Sequence, residues 1–251
     1  MDDAELFARQ HASLHRFYRL LAGSSKSARL YERDGITAAV VPATPERSVC
    51  NGVVYDDASS LERVLDPLAA RYEEAGVYAW TVWVRAEDRE AAALLERRGH
   101  RLDAAPAAMG IELARFSHAP APDLKIDPDP DPIDIGRLND AAYGYEDQFV
   151  RALELLRPDA AHVYVARLEG APAACTVALD HQGDCCITLV ATLPAARGRG
   201  LASGLLTRAL LDARSRGCET SSLQATKMGQ PVYERLGYRD IGQLEMWERR
   251  R

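Results

Sequence analysis

The stretch of this chain best equipped for chemistry is Leu189-Val-Ala-Thr-Leu-Pro-Ala-Ala-Arg-Gly-Arg-Gly-Leu-Ala-Ser-Gly-Leu-Leu206. An apolar run ending at Thr192 reads as a buried strand. A turn containing Arg197-Gly198-Arg199-Gly200 follows, and a helix starts at once. The first N–H groups of a helix have no intrahelical partner and lie at the positive end of its dipole. Glycines at 198 and 200 allow a tight turn and keep side chains from shielding the backbone, while Arg197 and Arg199 add charge. The spacing therefore predicts an anion site. It is not a Walker loop, because no Gly-Lys-Ser/Thr ending follows. Nor is it a dinucleotide fingerprint. Ser203 stands in the third glycine's place, and no acidic residue follows at a strand end ~20 residues on.

The elements around this turn are legible in the second half of the chain. Residues Ile133–Tyr143 and Asp147–Leu156 pattern as short helices. His162–Arg167, Pro172–Leu179 and Cys185–Thr192 pattern as strands, the last nearly continuously apolar, as in a buried strand. Gly200–Arg216 is a helix with Leu201, Leu205, Leu206, Ala209, Leu210 and Ala213 on one side and Gly217 as its stop. Thr220–Leu223 is a strand, Gln230–Leu236 a helix and Gln243–Glu248 a last strand. Upstream, a similar order recurs. Val53–Tyr55, Val77–Arg85 and Met109–Leu113 pattern as strands, with helices at Leu61–Ala75 and Arg89–Arg98 between them. Two copies of one mixed α/β layer fold are inferred.

Between the copies, Ala119–Pro132 holds five prolines and four aspartates, which fit neither a helix nor a central strand. It is expected to be an extended, solvated linker. The domain boundaries are then 1–118, 119–132 and 133–251, matching what 251 residues suggest for two domains.

Arg197-Gly-Arg-Gly-Leu-Ala202 resembles the Arg/Gln-x-x-Gly-x-Gly/Ala signature of the GCN5-related N-acetyltransferases, with Pro194 three residues before the arginine. A second signature of that family, Tyr-x-x-x-Gly-aromatic on a late helix, is matched by Tyr233-Glu-Arg-Leu-Gly237-Tyr238. The resemblance covers essentially 133–251. It implies an α/β (α+β) fold, here tandem GNAT-like copies, each a mixed central sheet flanked by helices. It implies acetyl-CoA as co-substrate and a primary amine as acceptor, with no metal. By the same resemblance the pyrophosphate sits on Arg197, Gly198, Arg199, Gly200, Leu201, Ala202 and Ser203. The pantetheine arm pairs with the backbone of Val190 and Thr192. Tyr233 protonates the departing CoA thiolate. Thr226 stands where many relatives carry an asparagine that binds CoA.

The base that deprotonates the amine is left open among Asp184, Glu146, Asp147 and His181. A covalent route through Cys185 or Cys186 is disfavoured. The first half carries Leu95-Glu-Arg-Arg-Gly99-His100 where the second has Tyr233 to Tyr238. Asp56 and Asp57 precede its other helix in place of glycines and arginines. That half is expected to have lost the cofactor site, with Trp80 and Trp83 serving as packing. Two alternatives stay in view. One is a small-molecule acetyltransferase resembling mycothiol synthase, which shares the tandem arrangement; the other is a CoA-binding regulatory module without turnover.

Composition supports an ordinary folded protein, 47% hydrophobic and 27% charged, with a net charge of −6 that argues against a nucleic-acid surface. The acidic start, with no apolar run behind it, predicts no secretory signal, and no segment approaches the ~18 apolar residues of a membrane span. A cytoplasmic protein is expected, without nucleic-acid or membrane partners, monomeric or homodimeric. The five scattered cysteines suggest neither a disulfide framework nor a zinc ligand set.

Overall fold

In the computed structural model, which describes residues 1–157 and 160–251, the chain opens with an element that the patterning above left unassigned. Helix α1 (Asp3–Gly23) is capped by Asp2, whose carboxylate accepts the N–H of Glu5 at 2.8 Å. Leu6, Leu14, Tyr18 and Leu21 along it are all at most 2% exposed. Each such side chain contributes about 1.5–3 kcal/mol when buried. Strands β1 (Arg29–Arg33) and β2 (Ile36–Val40) follow as a hairpin.

The remaining elements of the first half are β3 (Gly52–Tyr55), α2 (Ala58–Glu74), β4 (Ala79–Arg85), α3 (Arg89–Arg97), β5 (Arg101–Ala104) and β6 (Ala107–Glu112). The second half comprises α4 (Ile133–Tyr143), α5 (Gln148–Ala152), β7 (His162–Leu168), β8 (Ala171–His181), β9 (Asp184–Thr192), α6 (Leu201–Ser215), β10 (Thr220–Ala225), α7 (Gln230–Arg235) and β11 (Arg239–Arg250). The predicted helices and strands therefore exist where patterning put them, with ends shifted by a few residues.

All eleven strands join one sheet, ordered β1-β2-β3-β4-β11-β6-β10-β9-β8-β7, with β5 beside β11. In each half two antiparallel pairings are followed by a parallel one, β3 with β4 and β9 with β10, which is the mixed sheet expected. The next strand in each case comes from the other half. β6 lies antiparallel to β10, from Thr220↔Glu112 to Ala225↔Ala107. β11 lies against β4 from Leu244↔Arg85 to Arg250↔Ala79. The two exchanged strands also pair with each other at Arg239–Gln243. At Gly242 (φ +142°) the register of β11 shifts as it passes from one half to the other. A Cβ there would lie 3.1 Å from the Phe7 ring, so α1 and the shift fit together only around a glycine.

Helix α1 packs across this junction. Its apolar residues share one core with Ile135, Phe149, Val177 and Leu179 of the second half. Ser13 donates to the Asp184 carboxylate at 2.8 Å, and Arg9 pairs with Glu219 at 2.8 Å. The Pro/Asp segment is also partly docked rather than wholly solvated. Ile126 bridges to Ala166, Arg167 pairs with Asp127, and the Leu124 side chain comes close enough to Gly204 of α6 that a Cβ there would meet it at 2.6 Å.

Candidate active site

Strand β9 reaches the predicted turn through a bulge. Its pairing with β8 slips between Cys175 and Val177, and Leu189 takes a left-handed φ of +49°. The bulge turns carbonyls out of the ladder toward α4. Asn139 Nδ2 donates to the Leu189 carbonyl at 3.3 Å, and Tyr143 Oη donates to the Val190 carbonyl at 3.0 Å. At Ala191 the ladder resumes opposite Cys175 and continues to Thr192 opposite Ala174. Beyond its three paired positions β10 has no further ladder with β9, so the two parallel strands part and a cleft opens between them.

The turn itself is built as its sequence suggests. Gly198 and Gly200 have φ of +76° and +75°, and nothing stands within 4 Å of where their Cβ atoms would be. These glycines are needed for backbone conformation, and the space before them is open. Gly200 is the N-cap residue of α6, and no side chain caps that helix. Its first N–H groups are thus left for a ligand. Arg197 donates to the Ala142 carbonyl at 3.0 Å and the Thr192 carbonyl at 3.4 Å, so its guanidinium also ties the turn to α4.

The matching position in the first half shows the opposite arrangement. Asp57 caps α2 by accepting the N–H of Ser60 at 2.8 Å. Hydrogen bonds from Ser59 and Ser60 pull its carboxyl down to about 2. The helix end that would hold an anion is already filled by the protein's own carboxylate. Leu95, the counterpart of Tyr233, is fully buried.

Ten of the eleven predicted site residues line a single cleft of about 900 Å³. They are Val190, Thr192, Arg197, Gly198, Gly200, Leu201, Ala202, Ser203, Thr226 and Tyr233. Arg199 is exposed and points its charge outside that lining. Thr226 lies in the turn before α7, its Oγ1 accepting the N–H of Gly229 at 3.2 Å. Tyr233 is 8% exposed and Tyr238 packs edge-on against it at 6.0 Å. Burial, with the Tyr143 phenol adding to it, pushes the Tyr233 hydroxyl well above its ordinary range. The phenol stays protonated at neutral pH.

The candidate bases are spread out. Asp184 is fully buried at the far end of β9, its carboxylate accepting hydroxyls of Ser13, Thr220 and Ser222. It is structural. Glu146 and Asp147 line a neighbouring pocket of about 460 Å³ with Glu46 and Arg151. His181 lies near Arg16 and Arg19, away from the cleft. Cys185 and Cys186 are buried in the core, where burial raises both thiols far above the reactive range.

Sequence reasoning missed two acids. Among the described residues, Asp103 of β5 and Glu248 of β11 are the only carboxylates lining the cleft. Burial and the charge of Glu248 raise the Asp103 carboxyl. Against the cost of burial, hydrogen bonds from Arg250 and Ser48 hold Glu248 below the usual range. A pair of carboxyls pushed apart in this way suits proton transfer. No local motif marks either residue, since both come from strands whose meeting depends on the exchange. The same cleft wall includes Leu14, Phe17 and Leu21 of α1 and Trp83 of β4, which places both halves around one space.

Residues 159–240 match the family model described as an acetyltransferase (GNAT) domain. No curated protein matches the chain. Among solved structures, a GCN5-related N-acetyltransferase from Kribbella flavida shares the fold with a TM-score of 0.67 at 15% identity, covering 94% of this chain and 95% of its own. One from Sphaerobacter thermophilus gives 0.62 at 20% identity, covering 86% and 76%. A tandem GNAT protein from the clavulanic acid biosynthesis pathway gives 0.61 at 16% identity over 94% of each chain. No helix among the described residues is long and apolar enough to cross a membrane.

Proposed function

We propose that this chain, a GNAT-family protein whose second half carries the acetyltransferase domain, moves an acetyl group from acetyl-CoA to the primary amine of a small molecule. The observation that carries the reading is the joining, in one cleft, of an uncapped helix N-terminus at Gly200 and a buried phenol at Tyr233. The first suits a pyrophosphate. The second suits a leaving group that departs as a thiolate.

In this reading the acceptor nitrogen attacks the thioester carbonyl carbon directly. A C–N bond forms and the C–S bond breaks. The sulfur leaves with the electron pair, and Tyr233 Oη supplies a proton to it. The raised phenol keeps its proton until negative charge develops on the sulfur beside it, and it stabilises that charge as a hydrogen-bond donor. The amine must shed a proton before or during attack, and Asp103, with its raised carboxyl, is the cleft acid whose chemistry suits accepting it. Glu248 is held by Arg250, which leaves Asp103 as the carboxyl open to an amine, while Phe17 and Trp83 offer an apolar wall to the acceptor's body.

The reading is tested by following free thiol released from acetyl-CoA across a panel of small amines. Amine-dependent release is expected for at least one class, and it should be strongest for amines carrying an apolar group. Tight CoA binding with no release for any amine would favour the regulatory-module alternative instead.

A further inference from the structure

Outside the cleft lining, three metal-ligating side chains converge where α1 meets the first-half sheet. His11 and His15 are one helical turn apart on α1, and Asp56 directly follows β3. Their ligand atoms form a near-equilateral triangle. His15 Nε2 lies 3.2 Å from Asp56 Oδ1, His11 Nε2 lies 3.4 Å from the same oxygen, and the two nitrogens are 3.3 Å apart. Zinc bonds of ~2.0–2.1 Å give a tetrahedron with edges of roughly 3.3–3.4 Å.

The surroundings fix these groups in ligating form. His15 Nδ1 lies 2.8 Å from Thr37 Oγ1, and that hydroxyl in turn faces Glu32 Oε1 at 3.5 Å. When Thr37 donates to Glu32, its oxygen receives the Nδ1 proton of His15 and leaves Nε2 free to ligate. The lone pair of Nε2 is then turned toward Asp56 and His11. In that tautomer the His15–Asp56 contact sets two acceptors 3.2 Å apart. A cation relieves that opposition. His15 is shielded, at 7% exposure, while the Asp56 side chain is 59% exposed, so one side of the triangle opens to solvent. Gly35 makes room for the carboxylate: a Cβ there would come within 2.7 Å of Asp56 Oδ2.

We propose that His11, His15 and Asp56 bind one divalent transition-metal ion of the zinc type, with water at the open position, pinning α1 to the end of the first-half sheet. Thr37 orients His15 from behind, as partners of metal-bound histidines commonly do. The His11–His15 spacing of one helical turn is the local hint of this site, and the third ligand, Asp56, is brought to the helix only by the fold.

The test is titration of Zn²⁺ alone into the chelator-treated full-length chain by calorimetry. One equivalent is expected to bind saturably. At a hundredfold excess over Kd the melting temperature should rise by roughly 5–10 °C. His11→Gln and Asp56→Asn should each weaken binding by more than about tenfold. Co²⁺ bound to the unmodified chain should give the intense visible bands of a tetrahedral site, a readout that needs no variant. Absence of saturable one-to-one binding to the unmodified chain would overturn the proposal. So would Zn²⁺ affinity unchanged in folded His11→Gln and Asp56→Asn chains.

Discussion

Replacing Tyr233 with Phe should lower kcat for acetyl transfer by ~10²–10⁴-fold while leaving KM for acetyl-CoA within a few-fold of the parent. The substitution removes one oxygen from a side chain that is 8% exposed and whose ring packs against Tyr238. The hydroxyl has no hydrogen-bond partner among the described residues, so its loss strands no buried group and the fold should keep its stability. Steady-state kinetics with a saturating amine, together with a melting curve, would check both halves of the expectation. The KM-against-kcat split matters here. A residue that only shaped the cleft would move KM, whereas a proton donor to the leaving thiolate acts in the transition state alone. Equal kcat values for parent and variant would remove Tyr233 from the chemistry.

The second large effect concerns the two halves. A fragment comprising 133–251 should not fold, even though it holds the whole recognised motif. Without β6, strands β10 and β11 lose the partner lying between them and expose long unpaired edges. Met109 and Ile111 of β6 belong to the core beneath α6, and α1 covers the other face of β8 and β9. The fragment 1–118 is equally incomplete, because β4 would lose β11. Each fragment alone is therefore expected to show no cooperative urea transition. Mixing them during refolding should restore one. A sharp transition of 133–251 by itself, with near-native near-ultraviolet dichroism, would mean that the exchanged strands are dispensable. Deleting the first half is thus not a clean test of its role at the acceptor site. Substitutions on the cleft wall, at Trp83 or Asp103, are the better probe.

The sequence carries much of this architecture because the relevant signals are local. The Gly198/Gly200 turn, the apolar stripe of α6 and the Tyr233–Tyr238 spacing each lie within a short window, and the cleft assembles from them. The missing N-terminal helix had a usable signal: Leu6, Gln10, Leu14, Phe17 and Leu21 recur at helical spacing behind an Asp2 cap. The hairpin β1–β2 had less. Arg29–Arg33 is mostly exposed and polar, and Ile36–Val40 is buried throughout, so neither alternates.

The strand exchange was out of reach. β6 and β11 look alike wherever they pair, since an antiparallel edge accepts either one, and only the tertiary packing around α1 and Gly242 selects between them. Asp103, Glu248 and the histidine–aspartate triangle escaped for the same reason. Each depends on residues far apart in the chain that this topology sets side by side. Asp184, by contrast, looked available in the sequence because nothing local revealed the three hydroxyls that enclose it.

The most direct measurement is a crystal structure of the full chain with acetyl-CoA. The account predicts the pyrophosphate within hydrogen-bond distance of backbone N–H groups between Gly198 and Ser203, and the sulfur facing Tyr233 Oη across the cleft. CoA seated elsewhere, for example at the Asp57-capped end of α2, or with its sulfur turned away from Tyr233, would contradict it.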